Sequence, residues 1–255
     1  MRSHRFLIPF AALMAVAGPV SAEETTAPHW SYTGEADPEH WGELAEAWHA
    51  CTDGSLQSPI DIEDAAAVDA DLPDLEVAYT PFPLTIVNNG HSLQVAGAPD
   101  NGFDIEGHHF DLVQFHFHTP AEYHVNGKTY PLELHLVHQR DDGALAVVSV
   151  MFDEGAENPA LEQVFAHIPA TVGETVTDPD VLVDVAGLLP QDHRYYRLMG
   201  SLTTPPCSEG VNWYVMEEPM QASKAQIETF ARLFPEGDAR PLQSANNRLV
   251  VRDVK

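Results

Sequence analysis

The sequence predicts a mainly β protein, with one domain built on a large, mostly antiparallel sheet and short peripheral helices. Three observations carry this expectation. Strand-like alternation recurs over residues 112–118 and 132–138, where every second side chain falls on the same face. Helical periodicity with a cap occurs in only two segments. Twenty prolines and sixteen glycines, spread along 255 residues, cut the rest into short strands and long loops.

The elements follow in chain order. Arg2 and Arg5 precede an apolar run over residues 6–20, and Val20-Ser21-Ala22 supplies the small residues accepted at a cleavage site. The run is shorter than the ~20 residues that span a bilayer, and Pro9, Gly18 and Pro19 interrupt it. Glu23 stands where a lipid anchor would need a cysteine. Residues 1–22 therefore read as a signal peptide and residues 23–255 as a single exported domain, periplasmic or secreted, with no membrane span after cleavage.

Past the two alternating segments, residues 144–152 form a nearly continuous apolar run of the buried-strand type. Asn158 can cap a helix beginning at Pro159, with Leu161, Val164, Phe165 and Ile168 on one face. Ser223 with Gln226 makes a capping box ahead of Ile227, Phe230 and Leu233.

Charge narrows the function classes. Lysine and arginine total 12 against 39 aspartate and glutamate, a net charge of −27. Such a surface repels phosphate backbones, which argues against a nucleic-acid partner. It also suits salty surroundings, where counterions screen the self-repulsion.

The chemistry gathers on the two alternating strands. His116 and His118 lie two apart and project from one face, and His135 lies on the next strand. Three neutral imidazoles converging on a point suit Zn²⁺ and leave its fourth tetrahedral position open. Gln114 shares a face with His116, and Glu133 with His135, so each can accept the second ring N–H and fix the ring. A second reading uses some of the same residues. His116-x-His118-x3-Glu122, followed by Gly127, approaches the first cupin signature, in which Glu122 would itself be a ligand, and iron the expected metal. The surroundings of His135 do not match the second cupin motif, and the rest of the chain is left unexplained.

Six motifs occur in order: His29-Trp30-Ser31-Tyr32, Gln57-Ser58-Pro59-Ile60-Asp61-Ile62, Asn88-Asn89-Gly90-His91, Gln114-Phe115-His116-Phe117-His118, Glu133-Leu134-His135-Leu136-Val137-His138, and Gly200-Ser201-Leu202-Thr203-Thr204-Pro205-Pro206-Cys207. Together they resemble the alpha-class carbonic anhydrases, in particular the exported bacterial members, over residues 28–253. The resemblance implies a twisted sheet of about ten strands, with zinc held by His116, His118 and His135 at the floor of a conical cleft. It implies reversible hydration of CO2 to bicarbonate and a proton by zinc-bound hydroxide, with zinc lowering the pKa of its water to ~7, an effect for which this family is itself the reference case.

The resemblance also assigns roles. Glu122 would accept the Thr203 hydroxyl proton, so that Thr203 orients the hydroxide, with Thr204 beside the substrate. Val137, Val147, Leu202, Val211 and Trp213 would form the apolar CO2 patch. His91 would shuttle protons, because an imidazole titrates near neutrality, and Tyr32, Asn89 and Gln94 would order the connecting water. Gln94 stands where the family often has asparagine. Cys51 and Cys207, the chain's two cysteines, would form a disulfide tethering the loop that carries Thr203 and Thr204. The peptide bonds Ser58-Pro59 and Pro205-Pro206 would be cis. Bacterial members are often homodimers, although the sequence itself specifies no oligomeric state. A non-catalytic binding relative typically lacks a zinc histidine, and all three are present. A zinc-storage protein would hold the metal without hydrating CO2.

Overall fold

Fifteen short strands account for most of the regular structure in the computed structural model, which describes residues 28–255. The signal-peptide reading and its cleavage point after Ala22 lie outside the described residues. In chain order the strands are β1 (Asp61–Ile62), β2 (Val68–Ala70), β3 (Glu76–Ala78), β4 (Phe82–Asn88), β5 (Leu93–Ala96), β6 (Gly102–Ile105), β7 (His108–His118) and β8 (His124–Val125). They continue with β9 (Leu132–Gln139), β10 (Leu145–Glu154), β11 (Thr175–Val183), β12 (Tyr195–Ser201), β13 (Glu209–Met216), β14 (Met220–Ala222) and β15 (Val251–Asp253). The α-helices are α1 (Trp41–Leu44), α2 (Ala50–Asp53), α3 (Pro159–Phe165) and α4 (Lys224–Ala231).

Ten strands run side by side in the order β11-β4-β5-β7-β9-β10-β13-β12-β15-β2. With β3, β6 and β14 joined to this path, the sheet has thirteen strands among the described residues, and β1 and β8 pair separately. Most neighbours are antiparallel, as expected. The sheet is nevertheless mixed, because β10 runs parallel to β13 and β14, and β15 runs parallel to β2.

The period of two divides the central strands into two different faces. Phe115 and Phe117 of β7, Leu134 and Leu136 of β9, and Val148 and Val150 of β10 enter the larger apolar core. Helices α3 and α4 close that side. Phe165 and Phe230 stack with ring centroids 5.8 Å apart, and Phe117 meets Phe165 at 5.1 Å. Burying a phenylalanine contributes on the order of 2–3 kcal/mol. The intervening residues face the opposite side, where the histidines stand.

Both helices begin where the caps predict and end earlier than the periodicity suggests. The Asn158 side chain accepts from the backbone N–H groups of Ala160 and Leu161, and Ser223 and Gln226 complete the capping box. Ile168 and Leu233 fall beyond the last turns, since Pro169 and Pro235 bias the residues before them away from helix. Alternation along β7 is likewise broken once. Its pairing with β9 shifts register between Leu112 and Gln114, leaving Val113 bulged and half exposed.

Candidate metal centre

Strands β7 and β9 are antiparallel, with His116 directly opposite His135. His118, two residues on, shares that face. The row continues to either side, with Gln94 of β5 opposite His116 and Ser149 of β10 opposite His135. The three rings meet with centroids 5.0, 5.3 and 4.7 Å apart, and one ligand nitrogen from each lies within 4.8 Å of the others.

Hydrogen bonds on the outer side of each ring decide which nitrogen faces the centre. His116 Nδ1 donates to Gln114 Oε1 at 2.9 Å, His118 Nδ1 to the Asp238 carbonyl oxygen at 2.8 Å, and His135 Nε2 to Glu133 Oε1 at 2.7 Å. An acceptor in each place requires the proton there. The inward lone pairs are therefore on His116 Nε2, His118 Nε2 and His135 Nδ1. His118 Nε2 is buried with no hydrogen-bond partner, a costly state unless something binds it. Burial, then repulsion from neighbouring histidines, holds His116 and His135 well below the usual imidazole range, so both are neutral and able to ligate. Three imidazole nitrogens in this arrangement fit Zn²⁺.

Glu122 stands beside the triad rather than in it. Its Oε1 accepts from the Arg240 backbone N–H at 2.8 Å, while Oε2 lies 3.5 Å from His118 Nε2 and 3.9 Å from His135 Nδ1. Burial, then the charge of Glu133, pushes the Glu122 carboxyl up to about 8, against the pull of the Arg240 N–H and the Thr203 hydroxyl. Thr203 is buried close enough to stabilise the ionised form, although Oε2 has no partner in hydrogen-bonding geometry.

The five apolar residues converge. Val137, Val147 and Trp213 face one another across β9, β10 and β13, one row beyond the histidines. Val211 and Leu202 pack into the same cluster. The Trp213 ring lies 4.9 Å from the His135 ring, and its Nε1 donates to the Ser201 carbonyl at 3.0 Å, which satisfies the indole N–H.

A cavity of about 120 Å³ opens over the histidines. His116, His118, Gln94 and Gln114 line it from the sheet, and Trp30, Tyr32, Asn89, His91 and Thr204 from the surrounding loops. The Tyr32 hydroxyl is buried without a partner. Asn89 Oδ1 is already engaged, accepting from the backbone N–H groups of His91 and Ser92 at 2.9 and 2.7 Å in a turn whose Gly90 has φ +87°. Burial, then the charge of His29, lowers the His91 imidazole below its usual range.

Cys51 and Cys207 form the disulfide, and both named peptide bonds are cis, together with Thr119-Pro120, which the motifs did not flag. Sequence reasoning also missed Arg240, Asp238 and Ser149. The Arg240 guanidinium donates to Gln57 Oε1, the Ser58 carbonyl and the Cys51 carbonyl, while Gln57 Nε2 donates to the Cys207 carbonyl. One buried arginine thus links the disulfide to Glu122. Asp238 and Arg240 lie in a loop with no periodicity to mark them. Ser149 had a signal, as the polar interruption of an apolar strand.

The fold and the histidine site, three residues that could hold a metal ion, define a β-sheet protein of a known kind. The family model for eukaryotic-type carbonic anhydrases matches residues 36–254, and the chain belongs to that family, the alpha carbonic anhydrases, whose reaction is CO2 hydration. A carbonic anhydrase of Pectobacterium carotovorum is 42% identical over 231 residues, 91% of this chain and 93% of the relative. The alpha-carbonic anhydrase of Thermovibrio ammonificans superposes with a TM-score of 0.86 at 43% identity, covering 89% of this chain and all of that one. That of Photobacterium profundum gives 0.81 at 47% identity over 88% of this chain and all of its own. This membership removes the cupin alternative. Among the described residues no helix is long and apolar enough to cross a membrane.

Proposed function

We propose that the chain is exported with cleavage after Ala22, and that residues 23–255 form one domain that reversibly hydrates CO2 at zinc held by His116, His118 and His135. The observation that carries this is the convergence of three imidazoles, two of which, His116 and His118, line an open cavity, while the ring of the third, His135, lies 4.9 Å from Trp213 of the apolar patch. The Cys51–Cys207 bridge supports export, because such bonds persist in oxidising compartments.

Zinc, when bound, supplies a water acidic enough to lose its proton near pH 7, the effect for which this family is the reference case. The remaining work belongs to the chain. Gln114, Asp238 and Glu133 hold the three rings in the ligating tautomers. A dication held by the three histidines would favour the anionic form of Glu122, which accepts a hydrogen bond from the Thr203 hydroxyl. Thr203 Oγ1 is then left as an acceptor that orients the reacting water, with Thr204 beside it. Val137, Val147, Leu202, Val211 and Trp213 offer CO2 a surface that cannot hydrogen-bond, so water does not compete for it. His91 takes the released proton on a ring nitrogen, relayed to it through waters ordered by Tyr32, Asn89 and Gln94, and passes it to solvent. A homodimer, as in bacterial members, completes the reading, and light scattering on the mature chain checks it.

Metal analysis tests the centre. Purified mature protein should carry one zinc per chain, and His116→Ala, His118→Ala and His135→Ala should each lose it while remaining folded. Iron in the wild type, or full zinc in all three variants, would contradict the assignment.

A further inference from the structure

Strand β10 is apolar and buried along most of its length, yet Ser149 sits in its middle with no exposed surface. A hydroxyl in such a place costs free energy unless it is bonded. Its partner is specific. Ser149 Oγ donates to Glu133 Oε1 at 2.6 Å, and the same oxygen accepts from His135 Nε2 at 2.7 Å. The register explains the meeting, because Ser149 lies directly opposite His135 in the row that also holds His116.

Glu133 is otherwise saturated. Its Oε2 accepts from the backbone N–H groups of Glu122 and Tyr123 at 2.6 and 3.0 Å. Four donors thus converge on one fully buried carboxylate. Three of them remain if the Ser149 hydroxyl is removed, and they hold the carboxylate in place. What changes is the share of Oε1 acceptor strength available to His135.

We propose that Ser149 is a positioning residue that tunes the metal centre through Glu133. By donating to Oε1 it draws charge from the oxygen that polarises the His135 N–H, and so moderates the donor strength of His135 Nδ1. This rests on the zinc reading above and names a residue that sets how tightly, and with what acidity, the site works. Without the hydroxyl, the Glu133–His135 bond strengthens, the imidazole becomes a better donor, and the metal withdraws less charge from its water.

The test is zinc competition against a chromogenic chelator on wild type, Ser149→Ala and Ser149→Thr, together with the pH midpoint of CO2 hydration for each. Ser149→Ala should bind zinc about three- to tenfold more tightly, an effect one layer weaker than loss of a direct partner of a ligand. Its midpoint should rise by about half a unit, since more charge reaches the metal. Ser149→Thr keeps the hydroxyl and should restore both values toward wild type. Unchanged affinity and midpoint in Ser149→Ala would overturn the role while leaving the zinc reading intact. So would weaker zinc binding that threonine fails to rescue, because that marks a packing defect. Absence of zinc binding by the wild type would overturn both.

Discussion

The His91 imidazole lies flat on the Trp30 indole, with ring centroids 3.8 Å apart and planes 11° from parallel. The stack places a neutral imidazole at the cavity without consuming either ring nitrogen, so both stay available for proton exchange. His91→Ala should lower turnover on the order of 10²-fold in weakly buffered solution. Added imidazole should restore much of the loss. Full turnover in the variant, or no rescue, would remove His91 from the proton path.

Val137 occupies the apolar patch next to the histidine row, directly opposite Val147. Val137→Tyr should fill the space and lower turnover at least about a hundredfold, while zinc content stays at the wild-type level. Wild-type turnover in this variant would show that CO2 is bound elsewhere.

The Cys51–Cys207 bridge closes a separation of 156 residues, and its carbonyls accept from Arg240 and Gln57. Chain-entropy arithmetic gives such a crosslink at most ~5 kcal/mol. Replacing both cysteines by serine should lower the melting temperature, and should also lower turnover because the loop carrying Thr203 and Thr204 loses its tether. Equal melting and equal turnover would make the bridge incidental.

His138 points to an acid limit on stability. Burial pushes its imidazole down to about 3, and the Tyr79 hydroxyl lies 2.8 Å from Nε2. The folded value lies below the unfolded one, ~6.5, so neutral His138 contributes fully above that pH. As pH falls from ~6.5 toward 3 the unfolded chain takes the proton and stability declines. At about pH 4.5 the loss is ~3 kcal/mol. Urea unfolding at about pH 7 and pH 4.5 should show a smaller decline for His138→Gln than for wild type. An equal decline in both would place the acid sensitivity elsewhere.

A net charge of −27 implies self-repulsion that salt relieves. The melting temperature should rise between about 0.05 and 1 M NaCl, by roughly 2–4 °C for each kcal/mol of repulsion screened. A flat or falling trend would contradict salt adaptation.

The sheet and the histidine cluster were legible because both follow from period two. His116, His118 and His135, with Gln114 and Glu133, are placed by alternation alone once their strands pair. The caps at Asn158 and Ser223 were readable from local chemistry, whereas the helix ends were set by Pro169 and Pro235. Other features depend on contacts across long stretches of chain. Arg240 reaches Cys51, 189 positions away, and Asp238 reaches His118 across 120. No local pattern announces such partners. The parallel pairing of β10 with β13 was equally hidden, because strand direction is decided by connections rather than by composition. His91 and Thr203 were recognisable only through the motifs of the family.

Stopped-flow CO2 hydration by the mature protein, before and after removal of metal by a chelator, tests the central claim most directly. Fast hydration should disappear with the metal and return when zinc alone is added. A folded, zinc-loaded protein that fails to accelerate hydration would contradict it.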